Sequence, residues 1–138
     1  RMAVSGNNLH LITYSNNQLT HYYYNPTINW VNTGIISQVE TAVAPCLVKL
    51  GGQLYLFYRR GKSAPPQEEP IYYSIYNNAG AKWGAPQPLE KFLTSDTPTV
   101  LAEPGEKLIL HLFHTKGTQV WHAATQRESP KLPLQKFQ

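Results

Sequence analysis

Two arginines, two glutamates and two tyrosines fall within the segment 59–73. Arg59 and Arg60 close an alternating apolar run, Glu68 and Glu69 sit in the polar stretch that follows, and Tyr72 and Tyr73 open the next run. Aromatic faces stack on the C–H surfaces of sugars, and planar polar groups hydrogen-bond their hydroxyls. The combination therefore suits carbohydrate. Further along, His114 stands at the matching run end and Trp121 aligns with Tyr72, which makes Trp121 the best single stacking candidate. Plainer readings stand beside these. Trp121 is as well suited to burial as to binding, and Arg59 with Glu68 or Glu69 also reads as an exposed ion pair, which adds little to stability.

Other chemistries find less support. His10, His21, His111, His114 and His122 contain no pair at the helical i, i+4 spacing, and His111 and His114 fall on opposite faces of a regular strand. No metal site and no cofactor is expected. Cys46 is the single cysteine and lies in the apolar run Ala44–Val48, so it reads as a small buried hydrophobe. Asp96, the only aspartate, precedes Thr97-Pro98 and reads as a turn residue. With neither a phosphate loop nor a nucleophile elbow, no enzymatic activity is expected. The net charge of +4 reflects few acids, and only Arg59-Arg60-Gly61-Lys62 is locally basic, which argues against nucleic acid. No run is long enough for a membrane span, and the first residues lack a signal pattern.

The elements that would position these residues repeat. Asn8–Thr13, Gln53–Tyr58 and Lys107–Leu112 are alternating runs, each preceded by a glycine-containing turn. Thr41 and Thr94 precede the second and third, with Pro45 and Pro98 at the same spacing of 53 residues. Third strands are expected at 19–24, 71–76 and 119–124, and fourth strands after them, ending at Phe92 and Phe137. The chain thus divides into units 2–40, 41–92 and 93–138. Four short antiparallel strands per unit, rich in Tyr and β-branched residues and separated by turns, predict an all-β protein of about three propeller blades. A sandwich does not require such aligned recurrence. Ser63–Pro70 is a Pro-rich insertion expected to form an exposed loop, unable to pair in a sheet.

After its third strand, unit two reads Tyr76-x-Asn78-x-Gly80-x-x-Trp83, and unit one reads Tyr23-x-Asn25-x-Thr27-x-x-Trp30. This resembles a degenerate Asp-box, the hairpin-turn motif of sialidase-like propellers. Its physics asks for a side-chain acceptor that closes the turn, a Gly that permits positive φ and a Trp that packs on neighbouring strands. Unit three has Gln126, Arg127 and Ser129 in that stretch, with Leu132 at the Trp position. Most of the chain is also similar to the repeats of bacterial and fungal propeller lectins, including the fucose-binding type, although the Glu of a fucose site has no match in the third strands. The resemblance implies carbohydrate recognition for adhesion or receptor targeting, in a module of a larger secreted protein or toxin. An extracellular setting goes with that reading. The alternatives are a protein-interaction or structural propeller with no sugar site, and a fragment of a propeller glycosidase that draws its carboxylates from elsewhere. Three blades leave two open faces, so the expected partners are glycans and either another copy or another fragment that completes the ring. Because residue 1 opens almost directly into a strand, the chain is expected to start inside a longer product.

Overall fold

The computed structural model describes residues 1–103, 109–126 and 135–137, and every regular element in them is a β-strand. The first sheet runs β1 (Met2–Ser5), β2 (Asn8–Ser15), β3 (Gln18–Asn25) and β4 (Asn29–Ile35) in that spatial order. The second runs β5 (Cys46–Leu50), β6 (Gln53–Arg59), β7 (Glu69–Asn77) and β8 (Lys82–Trp83), with β9 (Gln87–Thr94) also paired to β7. The third runs β10 (Thr99–Glu103), β11 (Ile109–Lys116), β12 (Gln119–Gln126) and β13 (Gln135–Phe137). Among the described residues all strand pairs are antiparallel, and a parallel bridge joins Thr41 to Gly61. Among the described residues no helix is long and apolar enough to cross a membrane.

Tight turns make neighbours in sequence neighbours in space. Asn16 and Asn17 join β2 to β3 with φ of 51° and 61°, and Gly51 and Gly52 join β5 to β6 with 56° and 76°. Two successive left-handed residues give the type I′ turn, whose twist matches that of the paired strands. Connections this short impose a meander.

The sheets stack in chain order. One face of the first sheet, carrying Ile12 and Leu19, packs on Leu56 and Tyr58 of the second. The opposite face of the second, carrying Val48, Leu50, Tyr55, Phe57 and Ile71, packs on Val100, Leu110, Leu112 and Ala123 of the third. We call the face that meets the following sheet the leading face and its opposite the trailing face. The second sheet is covered on both sides, which is why Leu54-Tyr55-Leu56-Phe57-Tyr58 is apolar at every position and buried throughout. Cys46, packed against the core between the second and third sheets, has its Sγ 3.3 Å from the Val100 amide nitrogen, and burial raises its pKa.

The two crossings between sheets use one device. Thr41 Oγ1 donates to Val43 O at 2.9 Å and accepts from Val43 N, and Thr94 Oγ1 does the same with Asp96 O and N. Both threonines are completely buried. The 53-residue match therefore marks two buried hydroxyls that satisfy the bends entering the second and third sheets.

Two expectations need correction. The fourth strand of the second sheet is split: β8 pairs Tyr76 and Asn77, while β9 pairs Glu69, Pro70, Tyr72 and Tyr73. Gly84 N turns back to Ile75 O and Pro86 has no amide hydrogen, so the ladder breaks between them. The insertion at 63–70 is also shorter than expected as a loop, because Glu69 and Pro70 begin β7 and pair with Thr94 and Leu93. Pro70 fits there because a register shift follows it and its carbonyl, accepting from Arg60 N at 2.8 Å, does the bonding its nitrogen cannot. Residues 127–134, where the third turn motif is replaced, lie outside the described residues.

Candidate functional site

Where the first and second sheets meet, three turns converge on a cleft of about 450 Å³. The β1–β2 turn contributes Ser5, Gly6, Asn7 and Asn8, the end of β3 and its turn contribute Tyr23, Asn25 and Ile28, and the end of β7 and its turn contribute Tyr76, Asn78 and Ala81. The volume is within the range of small-molecule sites. Among the described residues, not one that lines the cleft carries a charge at neutral pH.

Local hydrogen bonds order this lining. Asn25 Oδ1 accepts from Thr27 N at 2.8 Å, closing its own turn, and Asn25 Nδ2 donates to Asn8 Oδ1 at 3.0 Å. Asn8 thereby keeps its Nδ2 hydrogens to donate. Asn77 Oδ1 accepts from Ala79 N and Gly80 N, which leaves the exposed Asn78 carboxamide at the cleft. The Tyr76 phenol has its pKa raised by burial, with Tyr23 beside it adding to the effect.

Behind the cleft lies a pair of buried histidines. His10 Nδ1 is 2.9 Å from His21 Nε2, and Tyr76 lies edge-on to both rings, at 4.9 and 5.2 Å between centroids. Thr33 Oγ1 is 2.8 Å from His21 Nδ1 and donates its one hydrogen to His21 O. His21 Nδ1 must therefore be the donor to Thr33, which makes His21 Nε2 an acceptor and His10 Nδ1 its donor. His10 Nε2 then holds a buried lone pair with no partner among the described residues. Burial holds both imidazoles neutral; it lowers the His10 pKa and, with the His10 charge adding, brings that of His21 from 6.5 to about 4.

No protein-family model matches the chain, and no curated protein matches it.

Tyr23, Asn25, Tyr76 and Asn78 of the turn motif line this cleft, whereas the ligand-binding candidates singled out from the sequence lie elsewhere and do not converge. Arg59 is 0% exposed. Its guanidinium bonds the carbonyls of Thr94, Ser63 and Gln67, so it ties the 63–67 loop and the end of β9 to β6. It reaches Glu69 through Ser63, whose hydroxyl bonds both, and so it is not the exposed ion pair weighed above. Arg60 is exposed and covers the Tyr72 ring at 4.5 Å, and Glu68 is exposed on the loop. Tyr73 points the other way, into the core shared with the third sheet. His114 is buried, with Nδ1 2.7 Å from Leu93 O and Phe92 edge-on to its ring. Trp121 lies beneath Lys116, whose Nζ is 5.4 Å from the ring centroid. Tyr58 pairs with Tyr72 and His114 with Trp121, so the Arg60–Tyr72 and Lys116–Trp121 contacts occupy equivalent places in two sheets. These rings are already capped by cations.

The turn motif also differs in detail. Tyr76 is the register partner of Trp83, and in the first sheet the partner of Trp30 is Tyr24, so Tyr24 and not Tyr23 is the equivalent ring. The acceptor that closes the second turn is Asn77 in place of Asn78, and the positive φ falls on Ala81, at 50°, with Gly80 outside that region. Trp83 packs against the core between the first two sheets. In the sequence Asn25 and Asn78 read as turn residues and Asn7 as part of a turn, because Asn in such stretches is first of all a turn signal, and Asn8 reads as the start of a run.

Proposed function

We propose that the three sheets are successive blades of a β-propeller and that the cleft between the first two binds a neutral carbohydrate. The observation that carries this reading is the lining: four asparagines and two tyrosines without a charged side chain. Carboxamides both donate and accept, which suits vicinal hydroxyls, and tyrosine adds an apolar ring with a polar tip. The absence of Arg and Lys among the described lining residues disfavours acidic sugars and phosphates, which need a cation. Among the described residues no carboxylate lines the cleft to protonate a glycosidic oxygen, so recognition fits better than hydrolysis. The blade reading is supported by the common strand order of the sheets and by their stacking, leading face on trailing face, in chain order.

A glycan array carrying neutral, sialylated and sulfated oligosaccharides tests the proposal. Signal on neutral glycans, lost in an Asn7→Ala/Asn78→Ala variant with an unchanged melting temperature, supports it. An array blank for the folded protein rejects the sugar site and favours a protein-interaction or structural propeller.

A further inference from the structure

Six of the nine large apolar side chains exposed among the described residues lie on two faces. Met2, Val4, Trp30 and Ile35 are on the trailing face of the first sheet, and Leu101 and Val120 are on the leading face of the third. Among the described residues, these are the two sheet faces that no neighbouring sheet covers.

The two faces carry the halves of a contact the chain already makes once. On the leading face of the first sheet, the His10–His21 pair is covered by Tyr76 and by Trp83, the latter edge-on to His21 at 5.7 Å. On the leading face of the third sheet, His111 Nδ1 is 2.9 Å from His122 Nε2 and the rings stack at 12°. Both pairs sit five residues before and three after the ends of a two-residue hairpin, Ser15–Gln18 and Lys116–Gln119, so they are positionally equivalent. On the trailing face of the first sheet, Tyr24 and Trp30 are register partners with centroids 5.4 Å apart, as Tyr76 and Trp83 are at 5.2 Å. One end of the chain thus presents the histidine half and the other end the tyrosine–tryptophan half.

We infer that a second copy of this chain supplies the missing cover, the His111–His122 face of each copy seating on the Tyr24–Trp30 face of the other. Two copies exchanging both contacts give a closed six-sheet ring with two-fold symmetry, within the four to eight blades that propellers use; three copies would give nine. The inference rests on reading the sheets as blades and is independent of the sugar.

Light scattering on a sizing column decides it. The wild type is expected at twice the 15.6 kDa of one chain, and Trp30→Glu and Val120→Glu, both at exposed positions, are each expected to halve that mass with an unchanged circular dichroism spectrum. Met2→Glu and Leu101→Glu repeat the test at neighbouring sites on each face. Mixing the Trp30→Glu and Val120→Glu proteins restores one intact contact, so cross-linking is expected to capture mixed pairs and not pairs of either variant alone. A monodisperse monomer at all concentrations, or a dimer indifferent to one of the two faces, overturns the inference. Glycan binding by such a monomer leaves the proposed function standing, because that cleft lies within one copy.

Discussion

His10 Nδ1 stands 2.9 Å from His21 Nε2 with the two rings stacked at 7°, and both side chains are buried between the first and second sheets. With His21 Nδ1 donating to Thr33, the bond needs the lone pair on His21 Nε2, which protonation of His21 removes. Unfolded His21 titrates near 6.5 and the folded residue near 4, so its contribution is complete above pH 6.5. As pH falls below that, the unfolded chain takes up a proton that the folded chain refuses, and stability declines until the folded His21 protonates as well. Urea denaturation between pH 7.5 and 4 is expected to show this loss, with a slope of about 1.4 kcal/mol per pH unit from this group. His21→Gln is expected to remove that share of the slope. A profile equally steep in the variant contradicts the assignment.

Arg59 is expected to behave as a structural residue. Arg59→Met leaves three carbonyls without their donor, a loss of about 3–5 kcal/mol by analogy with other buried charged networks. Arg60→Ala removes one exposed cation from a tyrosine face and is expected to cost under about 1 kcal/mol. Chemical denaturation of the two variants checks the contrast, and equal effects refute it.

The same loop makes Gly61 sensitive. Its φ is +141°, and a Cβ there would stand 2.6 Å from Glu69 Cδ. Gly61→Ala must both strain the backbone and displace the carboxyl group that Ser63 bonds, so a loss of about 1–3 kcal/mol is expected. At Gly117, with φ of +58°, a Cβ meets nothing within 4 Å. Gly117→Ala is expected to cost about 1 kcal/mol, the left-handed penalty alone. Thermal melts rank the pair.

In the β7–β8 turn, Asn77→Ala removes the acceptor of two backbone amides and is expected to cost about 1 kcal/mol, whereas Asn78→Ala is expected to leave stability unchanged. Ala81→Gly relieves a left-handed alanine and is expected to stabilise by a few tenths to 1 kcal/mol. A reversed order for Asn77 and Asn78 in melting temperature contradicts the turn geometry.

Much of the fold was legible because it is written in short-range signals. Paired turn residues, alternating runs and the Thr41–Thr94 spacing led to antiparallel sheets joined by tight turns. The unbroken apolar run 54–58 also tells that the second sheet is the covered one. What failed was register at single-residue precision. A strand has a period of two, so reading Tyr23 for Tyr24 exchanges the cleft side of the first sheet for its open side. In the sequence Arg59 and Tyr73 look like ligand contacts because run ends and adjacent aromatics do not reveal which face is buried. The His10–His21 and His111–His122 pairs did leave a trace, two histidines eleven residues apart around a two-residue turn, but a search framed on helical spacing passes over it.

The most direct measurement is a calorimetric titration with a neutral oligosaccharide at low and high salt. An uncharged cleft of asparagine and tyrosine predicts heats that barely change with salt, vanish in Asn7→Ala/Asn78→Ala and persist in Arg60→Ala/Lys116→Ala. Binding that weakens steeply with salt and is lost only in the second variant would place recognition at the cation-capped rings and contradict the site proposed between the first two sheets.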